Sequence, residues 1–190
     1  MLRQDVPDHL RPGLKLVIVG INPGLRSGAS GHHYAFPGNH FWPLLYESGL
    51  IPERLTYAED DRVLDYGIGL TNLCHRTSRE ANELSRDELA EGAESLREKL
   101  ERYTPRVVCF NGIGIYDAFV QVLDASDGAE EAPRRRKITP GLQPERLGET
   151  RMFVVPSSSG RTAAYPRQLK LDYYKQLRSL LDGLVEAPAG

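Results

Sequence analysis

The feature that most constrains this chain is a regular alternation of short apolar strands with helical segments. Leu14–Gly20 is apolar and rich in β-branched residues, as is typical of a strand buried on both faces. Comparable strand patterns occur at 67–71, 106–111 and 152–155, with helical patterns between them. Because such an alternation builds a parallel sheet covered on both sides, we expect an α/β fold, a three-layer α/β/α sandwich around a mostly parallel central sheet.

Capping residues and apolar spacing predict four helices. Ser85 and Glu88 have the spacing of a capping box ahead of a long helix. The other three helices are predicted at about 40–48, 115–123 and 166–185. The apolar side of the closing helix is predicted to contain Leu169, Tyr173, Leu177, Leu180 and Leu181.

Gly, Pro and polar residues dominate 22–39 and 128–144, so both segments are predicted as loops. No internal repeat is visible. The length of 190 residues fits one domain over 1–190, with short tails at 1–12 and 186–190.

The composition excludes several classes of protein. Hydrophobic residues make up 40% and charged residues 26%, as in ordinary globular proteins. No apolar run reaches the roughly 20 residues that span a bilayer, and the charged N-terminus lacks the apolar region of a signal peptide. We therefore expect a cytoplasmic protein without membrane contact. The net charge of −2 argues against a strongly basic nucleic-acid binder but permits one face that meets a polyanion.

No metal or cofactor is expected from the sequence. Cys74 and Cys109 fit no metal-binding pattern, and two buried thiols explain them better. His32 and His33 are adjacent, so their side chains should point in different directions, and no acidic partner stands at ligand spacing. Neither a Walker loop nor a GxGxxG fingerprint is present.

Two unusual loops follow predicted strands, where ligands bind in open α/β sheets. The first, Gly20–Gly24, surrounds Asn22 with glycines and a proline, and its amide can exchange hydrogen bonds with a water. The second, Pro156–Thr162, carries small hydroxyl residues and backbone N–H groups that suit phosphate contacts. Each loop alone also fits an ordinary turn.

Taken together, these segments resemble the mismatch-specific uracil/thymine DNA glycosylase family, the MUG/TDG branch of the uracil-DNA glycosylase superfamily. The resemblance covers roughly 12–181 and depends on several motifs in a fixed order. They are Gly20-Ile21-Asn22-Pro23-Gly24-Leu25, Gly31-His32-His33-Tyr34, Pro37-Gly38-Asn39-His40-Phe41-Trp42, Tyr66-Gly67-Ile68-Gly69, Thr71-Asn72, Phe110-Asn111-Gly112, Gly141-Leu142-Gln143-Pro144 and Pro156-Ser157-Ser158-Ser159.

The resemblance implies a hydrolase that flips uracil, and in some members thymine, out of a mispair with guanine in duplex DNA and cleaves its N-glycosidic bond. Asn22 would position the attacking water, and Arg161 would fill the gap left in the base stack. The base pocket would be formed by Gly20, Ile21, His33, Tyr34, Asn72 and Ser78. The phosphate contacts would come from Ser157, Ser158, Ser159 and Gly160.

Some features depart from the family pattern or stay open. Enterobacterial members carry leucine at the position of Arg161. No carboxylate stands beside Asn22 in sequence, so turnover should be slow unless the fold recruits an acid such as Asp65 or Asp87. The basic run 134–137 is either an extra phosphate contact or a solvated loop.

Other functions remain possible on the residues alone. A mismatch-binding or nucleobase-binding module without catalysis would use the same fold, and a nucleotide-binding or phosphotransfer enzyme would use a similar sheet. An iron–sulfur glycosylase is excluded by the count of two cysteines. The expected partner is double-stranded DNA with a G:U or G:T mispair, bound by a monomer. Preference between uracil, thymine and modified cytosines is not determined by the sequence.

Overall fold

The computed structural model describes residues 5–126 and 137–186, and within them five strands form one sheet. The strand order is β2-β1-β3-β5-β4, and only β4, at one edge, runs antiparallel to its neighbour. The predicted α/β fold with a mostly parallel sheet is confirmed. The strands are β1 (Leu16–Gly20), β2 (Ile68–Asn72), β3 (Val107–Asn111), β4 (Gly141–Leu147) and β5 (Thr150–Val155).

Helices cover both faces of the sheet. They are α1 (Leu25–Ser30), α2 (Phe41–Glu47), α3 (Arg86–Tyr103), α4 (Ile113–Ser126) and α5 (Arg167–Glu186), with 3₁₀ segments at Tyr57–Tyr66 and Ala81–Glu83. The predicted capping box starts α3, because the Glu88 backbone N–H donates to the Ser85 hydroxyl at 3.1 Å and the Ser85 N–H donates back to the Glu88 carboxylate. In the described ranges, no helix combines the length and apolar content needed to cross a bilayer.

Alternate residues of β1 show how the sheet separates two cores. Leu16 and Ile18 belong to a cluster with α2 and α5, whereas Val17 and Val19 belong to a cluster with α3 and α4. Because successive side chains of a strand point to opposite faces, a continuous apolar run indicates burial on both sides. The sheet and the helices that cover each of its faces make the three layers of the predicted α/β/α sandwich.

Two segments differ from the predicted loops. The segment 22–39 contains α1, whose buried residues are only Ser27 and Gly28, so it lacks an apolar period. Residues 141–144, predicted as part of a loop, begin β4. As an edge strand with exposed positions, β4 needs no apolar run, and Pro144 lies at an irregularity in its pairing with β5.

The buried side of α5 matches the predicted one at Leu177 and Leu181 but differs near the start of the helix. Leu169 is 39% exposed, whereas Leu171 and Tyr174 are buried. Apolar residues occur around much of this helix, so packing against the sheet selects the buried side, and that side includes Lys170.

Residues 5–11, expected to belong to an N-terminal tail, pack against the edge of the sheet. His9 and Leu70 of β2 exchange backbone hydrogen bonds of 2.9 and 3.0 Å. Val6 is buried. The segment therefore extends the sheet beyond β2 and brings its own residues to the functional site.

Candidate active site

The carboxyl ends of β1, β2, β3 and β5 open onto one cavity of about 590 Å³, within the usual size of a ligand site. Parallel pairing places Gly20 opposite Asn72 and Asn111 opposite Val155, so residues distant in sequence meet at this edge. The predicted residues that line the cavity are Gly20, Ile21, Asn22, His33, Tyr34, Asn72, Ser157, Ser158, Ser159 and Arg161.

Asn22 is held with its amide nitrogen turned toward the protein. Nδ2 donates to the Ser78 hydroxyl and to the Arg76 carbonyl, both at 2.8 Å. These bonds use the two amide hydrogens, and no hydrogen bond to Oδ1 forms within the described residues. Because an amide oxygen is an acceptor only, Oδ1 can take a hydrogen bond from a water.

Ser78 contacts Asn22 and is not among the residues that line the cavity, so its predicted place in the base pocket stays a prediction. Its hydroxyl accepts the Asn22 amide and donates to the Glu80 carbonyl at 2.7 Å. Its backbone N–H donates to the Pro23 carbonyl at 3.1 Å, which pairs this segment with the turn after β1. That pairing turns the Ser78 side chain toward Asn22, where it holds the amide.

Gly20 permits a close approach of Asn72 and Tyr34. A Cβ at Gly20 would lie 2.5 Å from Asn72 Oδ1 and 3.0 Å from the Tyr34 hydroxyl oxygen. Only glycine therefore lets these groups meet at the end of β1. Asn72 is buried, and within the described residues its amide makes no hydrogen bond, so it can pair with a polar ligand.

Tyr34 has a strained backbone that its neighbours enforce. Its φ of 55° lies in the left-handed region, which costs a non-glycine residue about 1–2 kcal/mol. Just before it, the His33 N–H donates to Asp60 at 2.8 Å, and just after it the Ala35 N–H donates to the Ser27 hydroxyl at 3.1 Å. Strain that is maintained in this way is typical of functional sites.

The Tyr34 ring has one face covered and one face toward the cavity. It stacks on Phe41 with 3.7 Å between ring centroids. Burial raises the pKa of the Tyr34 hydroxyl well above its ordinary value, so the group stays neutral. The cavity face is suited to stack against a planar ligand.

The His33 ring is fixed by the N-terminal segment. Its Nε2 donates to the Pro7 carbonyl at 2.8 Å. Burial lowers the pKa of His33 below its ordinary value of 6.5, so the imidazole is neutral at pH 7. With Nε2 used as a donor, Nδ1 is the acceptor nitrogen of this tautomer.

Asp60 supplies the acidic partner that the sequence did not reveal for the paired histidines. Its carboxylate accepts from the His33 N–H and lies 2.9 Å from His32 Nδ1 and 3.2 Å from His9 Nε2. Burial alone would raise the pKa of Asp60, but these hydrogen bonds outweigh it and lower the value to about 2. Asp60 therefore anchors the loop that presents His33 and Tyr34.

His9, His33 and Asp60 form a group that could hold a metal ion. Each offers one ligand atom, and the three atoms lie within 4.8 Å of one another. The hydrogen bonds described above already use the Asp60 oxygens and His33 Nε2. Protein partners thus account for Asp60 and His33, whereas His9 Nε2 lies 3.2 Å from Asp60 without forming a hydrogen bond. The expected absence of metal and cofactor stays a prediction.

Asn111 fixes the loop 156–162, here called the serine loop. The sequence alone did not assign a role to Asn111. Its Nδ2 donates to the Ser158 hydroxyl at 2.8 Å, and the Ser158 N–H donates back to Asn111 Oδ1 at 3.0 Å. Ser158 is 1% exposed, so its hydroxyl is directed inward. The inward hydroxyl of Ser158 does not fit the prediction that all three serines contact phosphate. Ser157 and Ser159 are half-buried, so their contact with phosphate stays a prediction.

The mouth of the cavity carries positive charge. Arg26, Arg79 and Arg161 line it, are exposed and form no ion pair within the described residues. The Arg161 guanidinium lies 5.8 Å from the centroid of the Phe36 ring, which is 54% exposed. An overall charge of −2 therefore coexists with a cationic rim around a cavity suited to one small planar group.

No carboxylate is among the residues that line the cavity in the described part of the chain. Asp65 and Asp87, the acids considered from the sequence, are exposed and lie outside this lining. The polar groups of the cavity interior are amides, hydroxyls and a neutral imidazole. Of the basic run 134–137, only Lys137 falls within the described residues, and it is exposed.

An open α/β sheet with a neutral polar cavity at its strand ends and a cationic mouth defines a ligand-binding α/β class of protein. A family model described as the uracil DNA glycosylase superfamily matches residues 7–181. The chain belongs to this superfamily, and the predicted family is confirmed.

Two individual proteins show similarity to the chain. A G/U mismatch-specific uracil DNA glycosylase from Schizosaccharomyces pombe is 38% identical over 172 residues, which cover 89% of this chain. The chain spans about half, 51%, of the length of that relative. A solution NMR structure of a Methanosarcina acetivorans protein, described provisionally as a uracil DNA glycosylase, has a TM-score of 0.59 and 21% identity over 95% of this chain and 99% of its own, which supports the fold.

Proposed function

We propose that this protein is a DNA glycosylase that hydrolyses the N-glycosidic bond of uracil mispaired with guanine in duplex DNA. The observation that carries the proposal is the Asn22 amide, which is fixed at the end of β1 with its oxygen available inside a carboxylate-free cavity. The S. pombe relative bears this activity in its name, and that similarity supports the assignment.

Asn22 would position the water. With both amide hydrogens engaged, Oδ1 accepts a hydrogen bond from a water and orients its lone pair toward the anomeric carbon of the flipped nucleotide. Holding reactants in this way is worth several kcal/mol. Because an amide cannot remove a proton, the water attacks only once the sugar has acquired oxocarbenium character, and turnover is slow.

Neutral groups around the base would stabilise the departing anion. Tyr34 stacks on the uracil ring, the Asn72 amide donates to a carbonyl oxygen that takes up the negative charge, and the neutral His33 recognises the base by accepting from its N–H. Backbone N–H groups at the end of β1 can donate to the developing negative charge. An acidic residue here would oppose that charge, and none lines the cavity in the described residues.

The cationic rim would hold the DNA while the base is flipped. Arg26, Arg79, Ser157 and Ser159 surround the mouth and can contact phosphates, while Arg161 enters the gap left in the stack. Flipping costs a few kcal/mol, and less for a mispair, which favours G:U over A:U. Thymine and modified cytosines opposite guanine belong to the same proposal as secondary substrates.

The direct test is a single-turnover assay on a labelled duplex with one uracil opposite guanine, followed by alkali. The proposal predicts strand scission at the uracil and release of free uracil, without added metal. A matched duplex with cytosine in place of uracil should stay intact. Tight binding of the G:U duplex without released uracil would favour the alternative, a non-catalytic mismatch-binding module.

The proposal includes a monomer that acts on DNA in the cytoplasm. The DNA partner is supported by the cationic rim of Arg26, Arg79 and Arg161. Sedimentation of the protein with and without duplex tests it, because a monomer predicts one copy per lesion. A complex with two copies per lesion would contradict this part of the proposal and leave the activity intact.

A further inference from the structure

The N-terminal segment 5–11 reaches the candidate active site from beyond the edge of the sheet. Val6 is 3% exposed and lines the cavity. The carbonyl of the next residue, Pro7, accepts from His33 Nε2 at 2.8 Å. Terminal segments are usually poorly ordered unless they are tied down, so the contacts that hold this segment decide where the Pro7 carbonyl lies.

Asp8 ties the segment to two other elements. Its Oδ1 accepts from the Thr71 hydroxyl at 2.6 Å, and its Oδ2 lies 2.7 Å from Lys99 Nζ. Thr71 belongs to β2 and is 1% exposed, whereas Lys99 belongs to α3 and is partly covered. Hydrogen bonds to a carboxylate are roughly twice as strong as neutral ones. Asp8 therefore fixes the segment to the rest of the domain one residue away from Pro7.

The backbone of the segment is held only from His9 onward. His9 exchanges two backbone hydrogen bonds with Leu70, and a Cβ at Gly69 would lie 2.8 Å from the His9 carbonyl oxygen. Residues 5–8 form no backbone–backbone hydrogen bond within the described part of the chain. The position of the Pro7 peptide therefore depends on the side-chain contacts of Asp8.

The Pro7 carbonyl determines which ring nitrogen of His33 carries the proton. A carbonyl oxygen only accepts, so the neutral ring must carry its proton on Nε2 and keep a lone pair on Nδ1. His33 lines the cavity, and its Nδ1 makes no hydrogen bond within the described residues. This Nδ1 is also absent from their fully buried, unpaired polar atoms, so part of its surface is open. It is thus available as an acceptor.

We propose that Asp8 is a positioning residue of the active site: it holds the Pro7 carbonyl so that His33 stays in the Nε2–H tautomer and presents Nδ1 as an acceptor to the N–H of the flipped base. This inference rests on the proposed function and deepens it. The other tautomer would set a hydrogen on Nδ1 against the base N–H, so release of the ring loses the contact. Asp8 itself is not among the residues that line the cavity, so it acts through His33.

The test compares Asp8→Ala, Asp8→Asn and a control, Asp5→Ala, which removes an exposed charge from the same segment. The single-turnover rate on G:U duplex is measured at subsaturating enzyme, because it then reports transition-state stabilisation relative to free protein and DNA. We expect Asp8→Ala to lose about tenfold, the size of one hydrogen bond. Asp8→Asn keeps an oxygen that accepts from Thr71, so it should stay within about threefold of wild type, as should the control.

A second pair of variants separates positioning from general stabilisation. His33→Phe keeps a ring but has no ring nitrogen. In that background Asp8→Ala should cost less than about threefold, because the contact that Asp8 controls is already gone. A purely structural Asp8 predicts the same tenfold loss in both backgrounds, and that result would overturn the inference. A wild-type rate in Asp8→Ala alone would also overturn it.

A spectroscopic measurement does not depend on cleavage. Long-range ¹H–¹⁵N spectra of histidine rings distinguish the two neutral tautomers. His33 of the wild-type protein should be protonated at Nε2, whereas Asp8→Ala should show a mixture. A wild-type ring protonated at Nδ1, or an unchanged tautomer in Asp8→Ala, would overturn the Asp8 assignment alone. Wild-type protein that releases no uracil would instead contradict the proposed glycosylase activity.

Discussion

The turn after β1 and the loop after β5 face the same cavity but are held by different forces. Asn22 is fixed by neutral partners, the Ser78 hydroxyl and the Arg76 carbonyl. The serine loop is fixed by Asn111 and by the buried cation of Lys170, and it carries Arg161 at its tip. The wall of the cavity formed by the turn after β1 is therefore neutral, and the wall formed by the loop after β5 is charged.

This difference separates two tasks that the proposed reaction sets for one cavity. In that reaction the base leaves as an anion, so its surroundings need aligned dipoles and no fixed negative charge. The DNA backbone is already an anion, so cations with outward N–H groups suit it. We infer that the Asn22 side governs the rate of cleavage and the serine-loop side governs affinity for duplex.

The largest effect should follow from Asn22→Ala. The variant keeps the fold, because the side chain is only partly buried, but it loses the acceptor for the water. We expect the single-turnover rate on G:U duplex to fall by about three orders of magnitude or more, consistent with several kcal/mol of positioning. Asn82→Ala, an exposed asparagine, is the control. A rate close to that of wild type would mean that the water is held elsewhere.

Gly20→Ala tests the geometry of the same wall. The new Cβ would lie 2.5 Å from Asn72 Oδ1, so the amide or the strand end must shift. A displacement of about 1 Å costs roughly 10²-fold in rate. Gly114→Ala, where a Cβ meets no atom within 4 Å, should cleave like wild type. Similar rates in both variants would show that Gly20 is not needed for close approach.

Asp60→Asn tests the anchor of the His33 loop through stability. The pKa of Asp60 is lowered from 3.8 to about 2, so its stabilising contribution is present above pH 3.8 and disappears as the pH falls toward 2. We expect a loss of about 2 kcal/mol in the free energy of unfolding at pH 7, measured by urea, and a smaller loss at pH 3. Asp65→Asn, exposed on the same segment, should change little. Equal losses at both pH values would argue against an ionised Asp60.

Arg161→Ala tests the charged wall. Filling the vacated stack offsets part of the cost of flipping, so we expect about a tenfold loss of affinity for G:U duplex. Cleavage of uracil in single-stranded DNA should change by less than about threefold. Arg86→Ala, an exposed arginine on α3, is the control for net charge. Equal losses of activity on single-stranded and duplex substrates would show that Arg161 does not act in the flipping step.

The smallest effect on the cleavage rate is expected from the removal of metal ions. Hydrogen bonds within the protein already use the Asp60 carboxylate and His33 Nε2, so dialysis against a chelator should leave the cleavage rate unchanged. The rate is compared before dialysis, after dialysis and after zinc is returned. Loss of activity that zinc restores would establish the cluster as a metal site.

The sequence predicted the fold well, because buried parallel strands produce continuous apolar runs such as Leu16–Gly20. It missed β4 and α1, because an exposed edge strand and a helix that buries only Ser27 and Gly28 carry no apolar period. It also missed the buried Lys170. A lysine within an amphipathic helix is ordinarily exposed, and only the packing of α5 shows otherwise.

For the site, the motifs identified the residues near strand ends but not which way their side chains point. Ser158 and Ser78 turn inward because of partners 47 and 56 residues away. Asp60 is 27 residues from His33, and no local pattern links them. Asn111 could have been found from the sequence, since it ends a strand as Asn72 does.

One experiment can test whether the neutral wall governs the rate of cleavage and the charged wall governs affinity for duplex. Asn22→Ala and Arg161→Ala are compared with wild type on the same G:U duplex, recording both the dissociation constant and the single-turnover rate at saturating enzyme. The account predicts that Asn22→Ala loses rate with affinity within about threefold of wild type, whereas Arg161→Ala loses affinity and keeps most of its saturated rate. Proportional losses of rate and affinity in both variants would contradict it.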